Sequence, residues 1–195
     1  MFANARTKEF DEAEVLDQAL ELFRVRGFQQ TSFADLTKEL GVSRQSLYDT
    51  YGDKQTLFHA ALKRYLDRAI DFIRRQFADP GPVRKVLAGL FEGLIASQCS
   101  KGSPGCLMVN SMVELTPHDA DIRALAQAHA REVEGLLASR LSAAQRKGEI
   151  GKAKDPVALA RFLYHTMLGL SVASRALGER DTLRDSARLA LQVLD

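Results

Sequence analysis

Apolar residues recur at helical spacing along almost the whole chain. Between residues 11 and 26, Val15, Leu16, Ala19, Leu20, Leu22 and Phe23 share one side of a helix, with Asp and Glu opposite. Gly27 ends it. Ser32-Phe33-Ala34-Asp35 is a capping-box pattern with Asp in the place of Glu, and it predicts a short helix from Phe33 to Leu40 that stops at Gly41. Ser43 caps a second short helix, Arg44 to about Tyr51. Gly52-Asp53 breaks it, and a long helix follows from Lys54 to about Ala78. Asp79-Pro80-Gly81-Pro82 is the clearest punctuation in the chain. Beyond it the pattern predicts helices from Val83 to Gln98, from Cys106 to Leu115, and from Asp119 or Asp121 to Lys147. Asp155-Pro156, an N-cap followed by proline, opens a helix to about Leu177, and a last one runs from Thr182 to Leu194. No strand pattern and no repeat emerges. The expected fold is all-α, about nine helices in two domains, residues 1–53 and 54–195.

The two short helices joined by Leu40-Gly41-Val42-Ser43 are the central signal. A helix-turn-helix needs a tight turn between steeply crossed helices, and Gly41 permits one. Val42 would plug the turn, and the small Ala34 would let the helices approach. Leu36, Leu40, Val42, Leu47 and Tyr48 would close over Leu20 and Phe23 as a small core. That leaves Arg44, Gln45, Ser46 and Asp49 facing outward. Arg pairs with guanine and Gln with adenine in the major groove. Thr31, Ser32, Tyr51 and Lys54 sit near helix ends, where hydroxyls, an ammonium and free amides suit phosphate oxygens. The residues alone are equally compatible with a helical hairpin that has no DNA role.

Charge does not decide the matter. Formal net charge is only +2, and residues 1–52 hold six Lys/Arg against nine Asp/Glu. A DNA reader built on this segment must turn its acids away from the duplex. Arg44, Lys54 and the N-terminal Arg6 and Lys8 are then the cations left for phosphate. The two cysteines, Cys99 and Cys106, have no second pair with which to form a four-ligand zinc site, so no metal or cofactor is expected. Neither a signal-peptide pattern nor an apolar stretch near 20 residues is visible, which points to a cytoplasmic protein without a membrane partner.

The runs Gly27-Phe28-Gln29-Gln30-Thr31-Ser32, Leu40-Gly41-Val42-Ser43-Arg44-Gln45-Ser46-Leu47-Tyr48 and Tyr51-Gly52-Asp53-Lys54-Gln55-Thr56-Leu57-Phe58 together resemble the N-terminal pattern of the TetR family of transcriptional regulators. The resemblance implies a three-helix DNA-binding domain with Arg44 to Tyr51 as recognition helix, a ligand-binding helical domain behind it, and a homodimer on a double-stranded DNA operator. Carried over by position, Thr31, Tyr48, Tyr51 and Lys54 would meet the DNA backbone and Arg44, Gln45 and Ser46 the bases. Ser32 and Ser43 join them at the helix starts. Ser32 stands where the family often has Thr, Tyr51 where it often has Phe, and Gln45 where a small residue is common.

In the second half, Phe91, Met108, Met112 and Phe162 offer apolar and Met surface for an unidentified small-molecule effector, with Asn110 and His165 as polar partners. Cys106 belongs with them. Gly105-Cys106-Leu107 resembles a subgroup in which a cysteine at this point senses oxidants or electrophiles, and a helix start suits a reactive thiol. Ordinary core packing accounts for each of these residues as well. The main expectation is a repressor released from a palindromic operator by a small apolar ligand. The alternatives are gating by Cys106 and, in another class, a helical interaction protein or small enzyme without DNA binding.

Overall fold

The computed structural model describes residues 10–99 and 104–195. Among these residues there are nine α-helices and no strand: α1 (Glu12–Arg26), α2 (Phe33–Leu40), α3 (Arg44–Tyr51), α4 (Lys54–Phe77), α5 (Val83–Gln98), α6 (Leu107–Glu114), α7 (Ala120–Arg146), α8 (Pro156–Ala176) and α9 (Arg180–Ala190). A 3-10 turn, Leu191–Leu194, follows α9. The chain divides into two compact units, residues 1–65 and 66–195. The division falls inside α4, twelve residues beyond the position 53 expected from the Gly52-Asp53 break. Leu57, Phe58, Ala61 and Leu62 of α4 are buried with the first three helices, which explains the shift.

Local chemistry sets the ends of the first three helices. The Asp11 carboxylate accepts from the amides of Ala13 and Glu14. Ser32 and Asp35 complete a reciprocal box, each side chain accepting from the other residue's backbone amide. Gly41 closes α2 at φ 64° and ψ 20°, a left-handed conformation that costs most other residues free energy. Two residues later Ser43 accepts from the Ser46 amide and starts α3. The core of this unit is Val15, Ala19, Leu20 and Phe23 of α1 with Leu36, Leu40, Val42, Leu47 and Tyr51. Phe23 meets Phe58 edge-on at 4.9 Å between centroids, and Phe28 lies 4.9 Å from Phe58. Two expectations are corrected. Ala34 is exposed rather than wedged between helices, and Tyr48 is 41% exposed. Tyr51 takes the buried place, because Leu47 and Tyr51 are one turn apart on the inner face.

In the second unit α8 packs against α5, α7 and α9, around Leu87, Leu90, Phe91, Leu137, Leu141 and Leu163. The Asp79–Pro82 turn is pinned to α7: the Arg140 guanidinium donates to the Gly81 carbonyl at 2.6 Å. Pro82 cannot cap α5 with its side chain, and Glu149 instead accepts from the Val83 amide at 2.6 Å. At 21 residues and mean hydropathy 1.2, α8 is long and apolar enough to cross a membrane, contrary to the reading of the sequence. Its inner side is apolar because it packs in this core. Its outer side carries a row of small and apolar residues, Ala158, Phe162, His165, Gly169, Val172 and Ala176, all exposed.

His129 on α7 is half-buried, but its Nδ1 is buried without a hydrogen-bond partner, and this burial depresses its pKa to about 4. Between about pH 6.5 and 4 the unfolded chain therefore binds a proton that the folded chain does not. Stability from this residue is full above that window and declines as pH falls through it. Urea midpoints at pH 7 and pH 5 should differ less for His129→Leu than for the parent. Equal differences would contradict a buried neutral imidazole.

Candidate nucleic-acid interface

The outer surface of α2, the turn and α3 is built from Ser32, Phe33, Lys38, Ser43, Arg44, Gln45, Tyr48 and Asp49, all exposed except the half-buried Phe33. The Phe33 and Tyr48 rings stack at 4.3 Å with 24° between planes, joining α2 to α3. The Arg44 guanidinium lies 5.8 Å from the Phe33 centroid and 5.6 Å from that of Tyr48. Gln45 donates from Nε2 to the Asp49 carboxylate at 2.7 Å, one turn along the same face. Ser43 and Ser46 share a hydroxyl–hydroxyl bond of 2.9 Å.

The acids that made this segment look unsuited to DNA are largely committed within the unit. Arg26 bridges to Asp35 at 3.4 Å and Glu39 at 2.9 Å. Arg64 grips Asp17 through two bonds of 2.6 and 2.9 Å, and Arg24 holds Glu21 at 2.9 Å. The Ser32 hydroxyl, then its amide, hold the Asp35 carboxyl below its usual pKa. Asp53 is lowered likewise by the Thr56 amide that it caps. Arg24, Arg26 and Arg64 are thereby spent on carboxylates. Arg44 alone among the described arginines of this unit has no hydrogen-bond or ion-pair partner.

Of the nine residues that the sequence singled out, Ser32, Ser43, Arg44, Gln45, Ser46 and Tyr48 come together on this surface. The other three turn inward. Thr31 is fully buried, its hydroxyl donating to the Gly27 carbonyl at 2.7 Å. Lys54 Nζ donates to the Phe28 carbonyl at 3.0 Å and sits 4.2 Å from the Phe28 ring centroid. The Tyr51 hydroxyl is buried without a partner, and burial raises its pKa. Arg6 and Lys8 lie outside the described residues. Sequence reasoning missed Phe33; an aromatic just after an N-cap, one helix away from Tyr48, gives no local signal of stacking.

The seven expected effector contacts lie on three helices and differ in burial. Phe91 is the floor of a groove of about 430 Å³ between α5 and α9. Met108 is buried in α6, while Asn110 and Met112 are half-buried there. Asn110 donates to the Pro104 carbonyl at 3.3 Å. Phe162 and His165 lie on the outward row of α8, because their positions face away from the α5 and α7 side. Cys106 is the half-buried N-cap residue of α6, and neither it nor Cys99 is in a disulfide. Tyr164 has its hydroxyl buried without a partner, and its pKa is pushed up to about 12, chiefly by burial and further by Cys106 and Glu134.

If Tyr51 serves the core, Tyr51→Phe should leave urea stability within about 1 kcal/mol of the parent and leave DNA affinity unchanged. Tyr48→Ala should weaken DNA binding without a matching loss of stability. Loss of DNA binding in Tyr51→Phe would return Tyr51 to the interface.

Comparison with known proteins agrees with this geometry. Residues 15–61 match the family described as bacterial regulatory proteins, tetR family, and residues 82–190 match the tetracyclin repressor-like C-terminal domain. The chain is 36% identical over 192 residues to the HTH-type transcriptional regulator YezE of Bacillus subtilis, covering 97% of this chain and 99% of that one. It is 34% identical to the HTH-type transcriptional repressor ComR of Escherichia coli, covering 98% of this chain and 92% of that one. Among solved structures, a cysteine mutant of the TetR family regulator CifR, complexed with double-strand operator DNA, superposes with a TM-score of 0.86. It is 28% identical, and the match covers 98% of this chain and 100% of that one. This chain belongs to the TetR family and is a helix-turn-helix DNA-binding transcriptional regulator.

Proposed function

We propose that the protein is a cytoplasmic, homodimeric repressor that holds a palindromic operator and leaves it when a small apolar effector binds in residues 66–195. The observation that carries the DNA-reading part is Arg44. It stands exposed at the start of α3, uncommitted to any carboxylate, beside Gln45 and Tyr48. In this reading Arg44 and Gln45 meet bases. Ser46 stays near the bases, Ser32, Ser43 and Tyr48 meet the phosphate backbone, and Thr31, Tyr51 and Lys54 support from beneath. Two such helices would enter successive major grooves about 34 Å apart.

Dimerisation is supported by the outward row of α8 and by Leu189 of α9, 54% exposed. A groove of about 330 Å³ beside Gly169 and Ala173 runs between the two helices. Nothing meets a Cβ built on Gly169, so another helix can approach closely there. Phe162 and His165 belong to this face rather than to an effector site. Effector binding is supported by Tyr164 and His129, whose buried polar atoms lack partners. An unmet buried polar atom costs about 1–3 kcal/mol, and a ligand that satisfies one gains that difference.

A second reading, gating by thiol chemistry, has one observation in its favour. Cys106 is a half-buried thiol outside any disulfide, and the Arg175 side chain lies against the preceding Gly105.

A gel shift on DNA upstream of the protein's own gene tests the main reading. Binding should be sequence-specific at moderate salt. Its salt dependence should be shallow, a log–log slope no steeper than about −4 for two protomers, because few cations remain uncommitted. Arg44→Ala should lose about 1–3 kcal/mol of discrimination at one base pair in each half-site. Absence of specific binding would overturn the DNA reading. Release by diamide that persists in Cys106→Ser would overturn thiol gating by that residue.

A further inference from the structure

We propose that Phe33 of α2 is a positioning residue for base recognition: with Tyr48 it forms an aromatic platform that fixes Arg44 of α3 as the reader of one guanine per half-site. This rests on the reading of α3 as the DNA-contacting helix. Three observations carry it. The Phe33 and Tyr48 rings stack at 4.3 Å across two helices. The Arg44 guanidinium lies within 6 Å of both ring centroids, at 5.8 and 5.6 Å. Arg44 has no carboxylate or carbonyl partner among the described residues, whereas Arg24, Arg26 and Arg64 all do.

A guanidinium held by aromatic rings keeps its N–H donors free, and those donors match the O6 and N7 acceptors of guanine. Tyr48 alone, one turn away on the same helix, would leave the long Arg44 side chain free to swing. Phe33 adds a wall from the neighbouring helix, so rotamer freedom that would be lost on binding DNA is already reduced in the free protein. Phe33 is not needed to start α2, because the Ser32–Asp35 box does that. Its half-exposed ring on the outer surface is therefore assigned to Arg44 rather than to the core.

The test is selection from a random-sequence duplex library, run in parallel with the full-length parent, Phe33→Leu, Phe33→Tyr and Arg44→Ala. Non-specific affinity and thermal unfolding are measured beside it. The parent should enrich a two-fold symmetric sequence with one guanine in each half that Arg44→Ala no longer selects. Phe33→Leu should lose roughly tenfold discrimination at that guanine, keep the preferences at other positions, keep non-specific affinity, and melt within a few degrees of the parent. Phe33→Tyr should restore the preference. Should Phe33→Leu unfold, Phe33→Met carries the test, because it keeps the volume without a flat π face. Undiminished discrimination in Phe33→Leu, or an equal loss at every position, would overturn the proposal while leaving the DNA reading intact. A parent that enriches no sequence would overturn both.

Discussion

The edge-to-face contact between Phe23 and Phe58, with Phe28 against the same ring, is the joint on which the N-terminal unit depends. It ties α1, the turn after it and the first turns of α4 into one block. Thr31 and Lys54 reinforce that block through the carbonyls of Gly27 and Phe28. Both residues sit where a resemblance assigns DNA-backbone contacts, and both hold the turn that precedes α2. The exposed face of α2 and α3 can be precise because its supports are hydrogen-bonded, Thr31 buried and Lys54 half-buried. The joint also explains why the compact unit extends twelve residues past Asp53.

Charge in this unit is organised by commitment rather than by sum. Nine acids against six cations in residues 1–52 would repel a polyanion if all were equally free. Asp17, Glu21, Asp35 and Glu39 are instead paired with Arg64, Arg24 and Arg26. These pairs are exposed or half-exposed and add little to stability. Their larger effect is to remove three arginines from competition and leave Arg44 as the one described arginine free for an outside partner. Tyr48, Phe33 and the Gln45–Asp49 bond then limit which orientations the reading side chains adopt.

Much of the fold was legible because helix ends are local chemistry. The caps at Ser32, Ser43 and Asp155-Pro156 and the stop at Gly41 follow from residues within four positions of one another. Roles that depend on partners far along the chain were not. The Asp17–Arg64 pair spans 47 residues, and the Phe33–Tyr48 stack joins separate helices. Thr31 and Tyr51 looked like phosphate contacts, since a hydroxyl near a helix end carries no mark of which way it turns. The effector side was least legible. Aromatic and Met residues on α6 and α8 share a pattern with any helical core, and only burial separates Met108 from Phe162 and His165.

Reading of DNA by α3 in the major groove requires Arg44 to reach the guanine edge there. Dimethyl sulfate protection reports guanine N7, which lies in that groove. On a duplex bound by the parent protein, protected guanines should fall in two symmetric clusters about one helical turn apart, with one protection per cluster lost in Arg44→Ala. Binding without guanine N7 protection, or protection unchanged in Arg44→Ala, would contradict it.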